Sequence, residues 1–342
     1  MTEIVRVLVV DDSAYVRKVI RQMLSRSPFL EVVGAARDGR EALELADELK
    51  PDVITCDLIM PTLDGVGFVR EQMTRRPIPI VVVSVASESG ELVLGALDAG
   101  AVDFVQKPTA LATDRVLEIA DELIEKVKAA SKSRPAVSRA VLPLSNKRSV
   151  GARTVDIVVI GISTGGPQAL KMLIPRFPAG LTVPIAIVLH MPVGYTELYA
   201  RKLNEQSALT VLEARGGEEV TAGHVYLAPA GRHLTLRRTA TGQVLTYLDV
   251  RPPDTPYRPS VDSLFQSAAE AYGARVLGIV MTGMGSDGRE GAAWIKAKGG
   301  IVLTESEASC VVYGMPRSIV EAGLSDGEVL LDRMADAVLE RL

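Results

Sequence analysis

Short β-branched runs alternate with amphipathic stretches of helical length through the first third of the chain: IVRVLVV, EVVGAA, DVITC, PIVVVS and VDFVQ. A strand covered on both faces reads as a continuous apolar run, and the helix that crosses over to a parallel neighbour fills the space between two such runs. The alternation predicts a doubly wound parallel α/β domain. The same grammar returns in the second half. There DIVVIG, VPIAIVLHM and RVLGIVMTG are buried-strand patterns, and GHVYLAPAGRHLTL reads as a β-hairpin flanked by His224 and His233.

The pattern is broken once, over Ser131–Arg153, where six Lys or Arg, no Asp or Glu and two prolines show neither helical nor strand periodicity. That composition is a flexible linker whose dispersed cations keep it soluble. The expected organisation is a first α/β domain over residues 1–130, a basic linker over 131–153, and a second α/β domain over 154–342, Rossmann-like with the hairpin added. At roughly 100–200 residues per domain, the 342 residues supply two cores.

Charge narrows the function classes. The net charge of -4 gives no reason to expect nucleic acid or an anionic membrane as a partner. From Thr154 onward, 17 Lys or Arg stand against 20 Asp or Glu with no basic recognition helix, which counts against a DNA-binding output domain. Cys56 and Cys310 do not make a disulfide framework and suit a reducing compartment. The opening MTEIVRVLVVDDS is too short in its apolar run, and too acidic after it, for a signal peptide, and no run approaches bilayer length. A cytoplasmic protein without membrane insertion is expected.

In parallel sheets, ligands sit at the carboxyl ends of the strands. In the first domain Asp11 and Asp12 close the first strand, Asp57 the third and Ser84 the fourth, and Lys107 follows the fifth. Three carboxylates on one rim repel unless a cation lies between them, and such hard oxygen ligands suit Mg2+. Lys107 adds a point charge for an anion. Asp11 or Asp12 could also cap the helix that begins in SAYVRKVIRQML, but capping explains neither Asp57 nor Lys107. Cys56 alternates to the opposite face from Asp57 and is expected in the core.

In the second domain, DIVVIGISTGGPQAL places Ser163 and Thr164 in a strand-to-helix turn, with Gly166 expected as N-cap and Pro167 as the first helical residue. Backbone amides at such a turn can hold an oxyanion. A serine needs a base, and only His190, His224 and His233 are available. His190 ends the next strand, on the same rim if the two strands are parallel neighbours; His224 and His233 read as ordinary strand or turn residues. Asp287, in the glycine-rich turn TGMGSDGREG, falls on the same rim. Its alternative is a capping box with Glu290; Asp287→Asn would keep that cap but favour the wrong imidazole tautomer, so stability is expected to change by only a few tenths of a kcal/mol while turnover falls by orders of magnitude. GISTG matches the G-x-S-x-G pattern of α/β-hydrolases, but the order Ser163, His190, Asp287 is not theirs. A dinucleotide site is also disfavoured, since Ser163 occupies its second glycine and His190 the place of its acidic ribose ligand.

VVDDS, CDLIMP, Ser84 and FVQKP together resemble the receiver domain of two-component response regulators over roughly the first 125 residues. GISTGG, LHMP, VYLAPAGRH, RPSVDSLF, TGMGSDGREG and VVYGMPRSIVEAG resemble the chemotaxis protein-glutamate methylesterases, and the resemblance spans both domains and the linker. Ile162 stands where a smaller residue is frequent in that family. The receiver resemblance implies that Asp57 accepts a phosphoryl group from a chemotaxis histidine kinase. Asp11, Asp12 and Asp57 would hold Mg2+, Ser84 and Lys107 would contact the phosphoryl oxygens, and Phe104 would be the aromatic switch. The esterase resemblance implies hydrolysis of glutamate γ-methyl esters on chemoreceptors, with deamidation of specific glutamines. Ser163 would be nucleophile, His190 general base and Asp287 its orienter, Thr164 and the Met284 amide would lie near the oxyanion and base, and the esterase reaction would need no cofactor. A receiver tethered ahead of exposed strand-end loops is further expected to restrain the esterase until it is phosphorylated.

Overall fold

The structure, a computed structural model, describes residues 4–84, 90–107, 113–133, 155–252 and 255–342. The chain divides into two compact units, Met1–Ser138 and Arg139–Leu342. From residue 134 onward, the linker expected over Ser131–Arg153 lies outside the described residues.

The first unit runs β1 (Val5–Val10), α1 (Ala14–Leu24), β2 (Leu30–Ala36), α2 (Gly39–Leu49), β3 (Val53–Cys56), α3 (Gly65–Arg75), β4 (Ile80–Ser84), α4 (Gly90–Asp98), β5 (Asp103–Gln106) and α5 (Thr113–Ser131). The strands form one parallel sheet in the order β2-β1-β3-β4-β5. The chain winds first to one side of β1 and then to the other, so a crevice opens at the carboxyl ends of β1 and β3. The all-apolar strand runs are buried throughout, as in Val7–Val10 and Ile80–Val83. Neither Asp11 nor Asp12 caps α1. Ser13 is the cap, its hydroxyl accepting from the Val16 amide, while the Asp11 carboxylate accepts the Ser13 amide at 3.0 Å. Cys56 lies in the core as expected; burial, then the charges of Asp57 and Asp11, push its thiol well above the ordinary range.

The second unit runs β6 (Ile157–Ile162), α6 (Gly166–Leu173), β7 (Ile185–Leu189), α7 (Thr196–Glu205), β8 (Thr210–Glu213), β9 (His224–Leu227), β10 (His233–Arg238), β11 (Val244–Asp249), α8 (Val261–Tyr272), β12 (Val276–Val280), α9 (Arg289–Ala297), β13 (Ile301–Glu305), α10 (Met315–Glu321), β14 (Gly327–Val329) and α11 (Leu331–Leu339). Seven strands form a parallel sheet in the order β14-β13-β12-β6-β7-β9-β8. β6 is central, with β7 on one side and β12, reached more than a hundred residues later, on the other.

Two details depart from expectation. His224 and His233 do not flank a hairpin. β9 joins the large sheet, and β10 pairs antiparallel with β11 in a separate hairpin, from His233↔Asp249 to Arg238↔Val244. The connecting APAG turns the chain from one sheet to the other, Ala228 donating to Ile187 of β7 and Gly231 (φ +84°) to Arg258. At α6, the N-cap is Gly165, one residue before the expected Gly166. Its φ is +78°, and a Cβ there would come within 2.6 Å of Val311, so the turn needs glycine on both counts.

Candidate active site

In the first unit, Asp11 and Asp57 are buried at the rim and Asp12 is exposed beside them, their ligand oxygens all within 4.8 Å of one another. Lys107, after β5, reaches across to Asp11 Oδ2 at 2.6 Å and Asp57 Oδ2 at 2.8 Å. Burial raises the Asp11 carboxyl above its usual range, and Lys107 only partly offsets this. Burial alone would lower Lys107, but the two carboxylates outweigh it and hold the ammonium above its ordinary value. Asp57 Oδ1 accepts the Leu58 amide at 2.8 Å. Ser84 is buried at the end of β4, and its carbonyl accepts the Lys107 amide at 2.7 Å. Phe104 is buried, with Lys126 Nζ donating to its carbonyl at 2.7 Å. An all-oxygen set of three carboxylates fits a hard divalent cation, not a soft one.

In the second unit, the rim residues follow adjacent strands. Ile162 of β6 pairs with Leu189 of β7, so Ser163 and His190 emerge side by side, and the His190 amide donates to the Ile162 carbonyl at 3.1 Å. On the other flank of β6, the residues after β12 close against the same turn, the Ser163 amide donating to the Thr282 carbonyl at 3.0 Å. A Cβ on Gly283 would lie 2.8 Å from Ser163 Cβ, so only glycine lets this turn approach so closely. Thr282 is pinned in turn. Its amide donates to the buried Glu305 carboxylate at 2.9 Å and its hydroxyl to the Thr164 carbonyl at 2.9 Å. Burial raises the Glu305 carboxyl above the usual range. Thr164 is buried, and Met284 lies half-buried in the turn that leads to Asp287.

Asp287 bonds to His190 Nε2 at 2.8 Å. It does not cap α9, whose N-cap is Gly288 (φ +100°). Instead it caps α8: Oδ1 accepts the Ser260 hydroxyl and the Asp262 amide, each at 3.0 Å, and Oδ2 accepts the Val261 amide at 2.8 Å. Asp262 answers by capping α9, its Oδ1 accepting the amides of Gly288 at 2.9 Å and Gly291 at 2.7 Å. Burial would raise Asp287, but His190 and the α8 amides outweigh it and hold the carboxylate below its usual range. Asp262 is pushed up to about 6 by burial and by the Asp287 charge. The Tyr257 ring stacks on His190, with centroids 4.3 Å apart and planes 9° from parallel. His190 Nδ1 is buried without a hydrogen-bond partner among the described residues. His224 lies half-exposed at the start of β9, whereas His233 is fully buried behind Ser260.

Tyr257, Ser260, Asp262 and Glu305 were not singled out as site residues from the sequence. RPSVDSLF announces a helix start at Ser260, but nothing local tells that its amides turn toward a carboxylate 25 residues away.

A family model described as CheB methylesterase matches residues 158–338, and one described as response regulator receiver domain matches residues 7–121. The protein-glutamate methylesterase/protein-glutamine glutaminase 5 of Myxococcus xanthus is 51% identical over 98% of this chain and 97% of its own length. The Thermotoga maritima protein of the same activity is 42% identical over 94% of both chains. The crystal structure of the Thermotoga maritima CheB methylesterase catalytic domain is covered completely by 56% of this chain, with a TM-score of 0.54 and 42% identity. With a receiver domain ahead of the esterase domain, and relatives aligned along nearly its whole length, the chain belongs to the CheB methylesterase family.

Proposed function

We propose that the chain is a phosphorylation-regulated serine hydrolase that demethylates glutamate γ-methyl esters, and deamidates specific glutamines, on chemoreceptors. The observation that carries this reading is the His190–Asp287 pair beside Ser163, with Nε2 committed to the carboxylate and Nδ1 left without a partner. Asp287 fixes the tautomer with hydrogen on Nε2, so the Nδ1 lone pair is available as the base. Ser163 Oγ attacks the side-chain carbonyl carbon while His190 Nδ1 takes the hydroxyl proton. The tetrahedral centre then collapses, the C–O bond to methoxide breaks, and the proton passes from Nδ1 to leave methanol. Water repeats the sequence on the acyl-enzyme, releasing glutamate and regenerating Ser163. A glutamine reacts identically with ammonia leaving. Thr164 and the Met284 amide serve the oxyanion; a positioned base is worth about 10²–10⁴-fold and one oxyanion donor about 10²–10³-fold. The esterase reaction needs no cofactor.

The remaining roles complete the reading. Residues 1–130 form the receiver, 131–153 the linker and 154–342 the catalytic domain. Asp57 accepts the phosphoryl group from a chemotaxis histidine kinase, with Lys107 and Ser84 meeting its oxygens and Phe104 as the switch. Asp11, Asp12 and Asp57 would hold Mg2+, which neutralises charge on the transferring group. No helix among the described residues is long and apolar enough to cross a membrane, which accords with a cytoplasmic enzyme that meets its receptors at their cytoplasmic helices. The test is release of volatile methanol from a radiomethylated chemoreceptor. Absence of release by the phosphorylated protein would overturn the assignment.

A further inference from the structure

We propose that His233 is a positioning residue for this reaction: it holds the N-terminus of α8, and through it the Asp287 carboxylate, in the place that His190 requires. The proposal rests on Asp287 orienting His190.

His233 is 0% exposed, and both ring nitrogens are engaged. Nδ1 accepts the Ser260 backbone amide at 3.2 Å, and Nε2 lies 3.2 Å from Thr255 Oγ1. A backbone amide can only donate, so the proton of the neutral ring sits on Nε2 and is given to the threonine hydroxyl. Burial lowers the His233 pKa below its ordinary value, opposed by a hydrogen bond to the Pro252 backbone and aided by the charge of Arg258, and the net lowering keeps Nδ1 an acceptor. Ser260 is the α8 N-cap, and its hydroxyl is itself one of the Asp287 donors; the next two amides are two more, beside His190 Nε2.

Among the described residues, the His233–Ser260 bond is one of three hydrogen bonds that tie β10 to α8 and its N-cap. The Leu236 amide donates to Ser267 Oγ at 3.1 Å, and Arg238 Nε donates to the Ala271 carbonyl at 2.9 Å. Positions 260, 267 and 271 differ by seven and four residues, so the ties line one face of the helix. The hairpin strand therefore splints α8 along its length. A helix slipping by one residue would turn by about 100° and carry its terminal amides off the carboxylate. Of these three ties, His233 is the one at the end that touches Asp287. An aliphatic side chain there would fill the volume but orphan a buried amide at that end.

The experiment compares methanol release by four full-length proteins: wild type, His233→Leu, Asp287→Asn and the double variant. His233→Leu is expected to lower kcat about tenfold or more with KM nearly unchanged, but to cost little further once Asp287 is already Asn, because residues acting through one another do not add. The same fold-loss in both backgrounds, or wild-type kcat in His233→Leu, would overturn the proposal. If Asp287→Asn itself turned over normally, the orienting role of Asp287 would fall first, which the single variant reveals. Should the leucine variant not fold, His233→Asn and His233→Gln carry the test. Asparagine supplies an acceptor near the Nδ1 position, whereas glutamine reaches only toward Thr255. Near-normal kcat for asparagine with a defective glutamine supports the role, and equal or reversed rates overturn it.

Discussion

At the scale of single residues, the proposed base, His190, is set up by what its neighbours prevent. Asp287 fills Nε2, Tyr257 covers one ring face, and the remaining nitrogen stays buried and unpartnered among the described residues. Ser163→Ala is expected to fold normally and lose nearly all hydrolysis, with His190→Ala losing a comparable amount and the double variant little more, as kcat measurements would show. Asp287→Asn is expected to cost far more stability than capping of α9 alone implies. Its oxygens accept four donors, so an amide nitrogen must face at least one of them, at about 1–3 kcal/mol of unfolding free energy by denaturant titration. Turnover should fall by orders of magnitude in the same variant.

At the scale of elements, α8 and α9 exchange caps, each helix supplying amides to a carboxylate at the head of the other. The arrangement sets two acids close together, and the weaker-held one pays in proton affinity. The Asp262 carboxyl rises from 3.8 to about 6, so the folded state binds its proton more tightly than the unfolded chain. Asp262 therefore stabilises the fold less as pH rises between those values. Asp262→Asn keeps an acceptor for Gly288 and Gly291 and carries no charge. Its melting temperature should gain on that of the wild type from about pH 4 to about pH 6.5; a constant difference across that range would contradict the raised carboxyl. These elements also mark where the sequence stopped being readable. That Ser163, His190 and Asp287 share a rim followed from strand ends and parallel order, which are local patterns. The acceptors of α8 and the pairing of β10 were not legible, because Asp287 looks like a cap for the helix after it and HVYL looks like a partner for HLTL. Both choices are decided by contacts between segments distant in sequence, which no local period records.

At the scale of the whole molecule, the rim that carries Asp11, Asp12 and Asp57 and the rim that carries Ser163, His190 and Asp287 lie in separate compact units. The fragment 154–342 is expected to hydrolyse receptor esters faster than the unphosphorylated chain. A small-molecule phosphodonor with Mg2+ should accelerate only the full-length protein, and Asp57→Asn should stay slow with or without it. A 99:1 bias toward a restrained state requires only about 2.7 kcal/mol, within reach of a modest interdomain interface. Equal rates for fragment and unphosphorylated protein would make the receiver an activator by contribution rather than a restraint. The strand order of the second unit carries a consequence for synthesis. β6, with Ser163 directly after its last residue, stands at the middle of the finished sheet, yet the strand on one of its sides is β12, whose residues follow more than a hundred positions later. While the ribosome is still making that interval, the growing chain exposes an open, wholly apolar strand edge with Ser163 at its tip and neither Thr282 nor Asp287 beside it. Parallel pairings of such long range form slowly and leave edges prone to aggregation. On the proposed triad, a ribosome stalled between residues 190 and 280 is expected to release a sticky, inactive stub instead of a partly working enzyme.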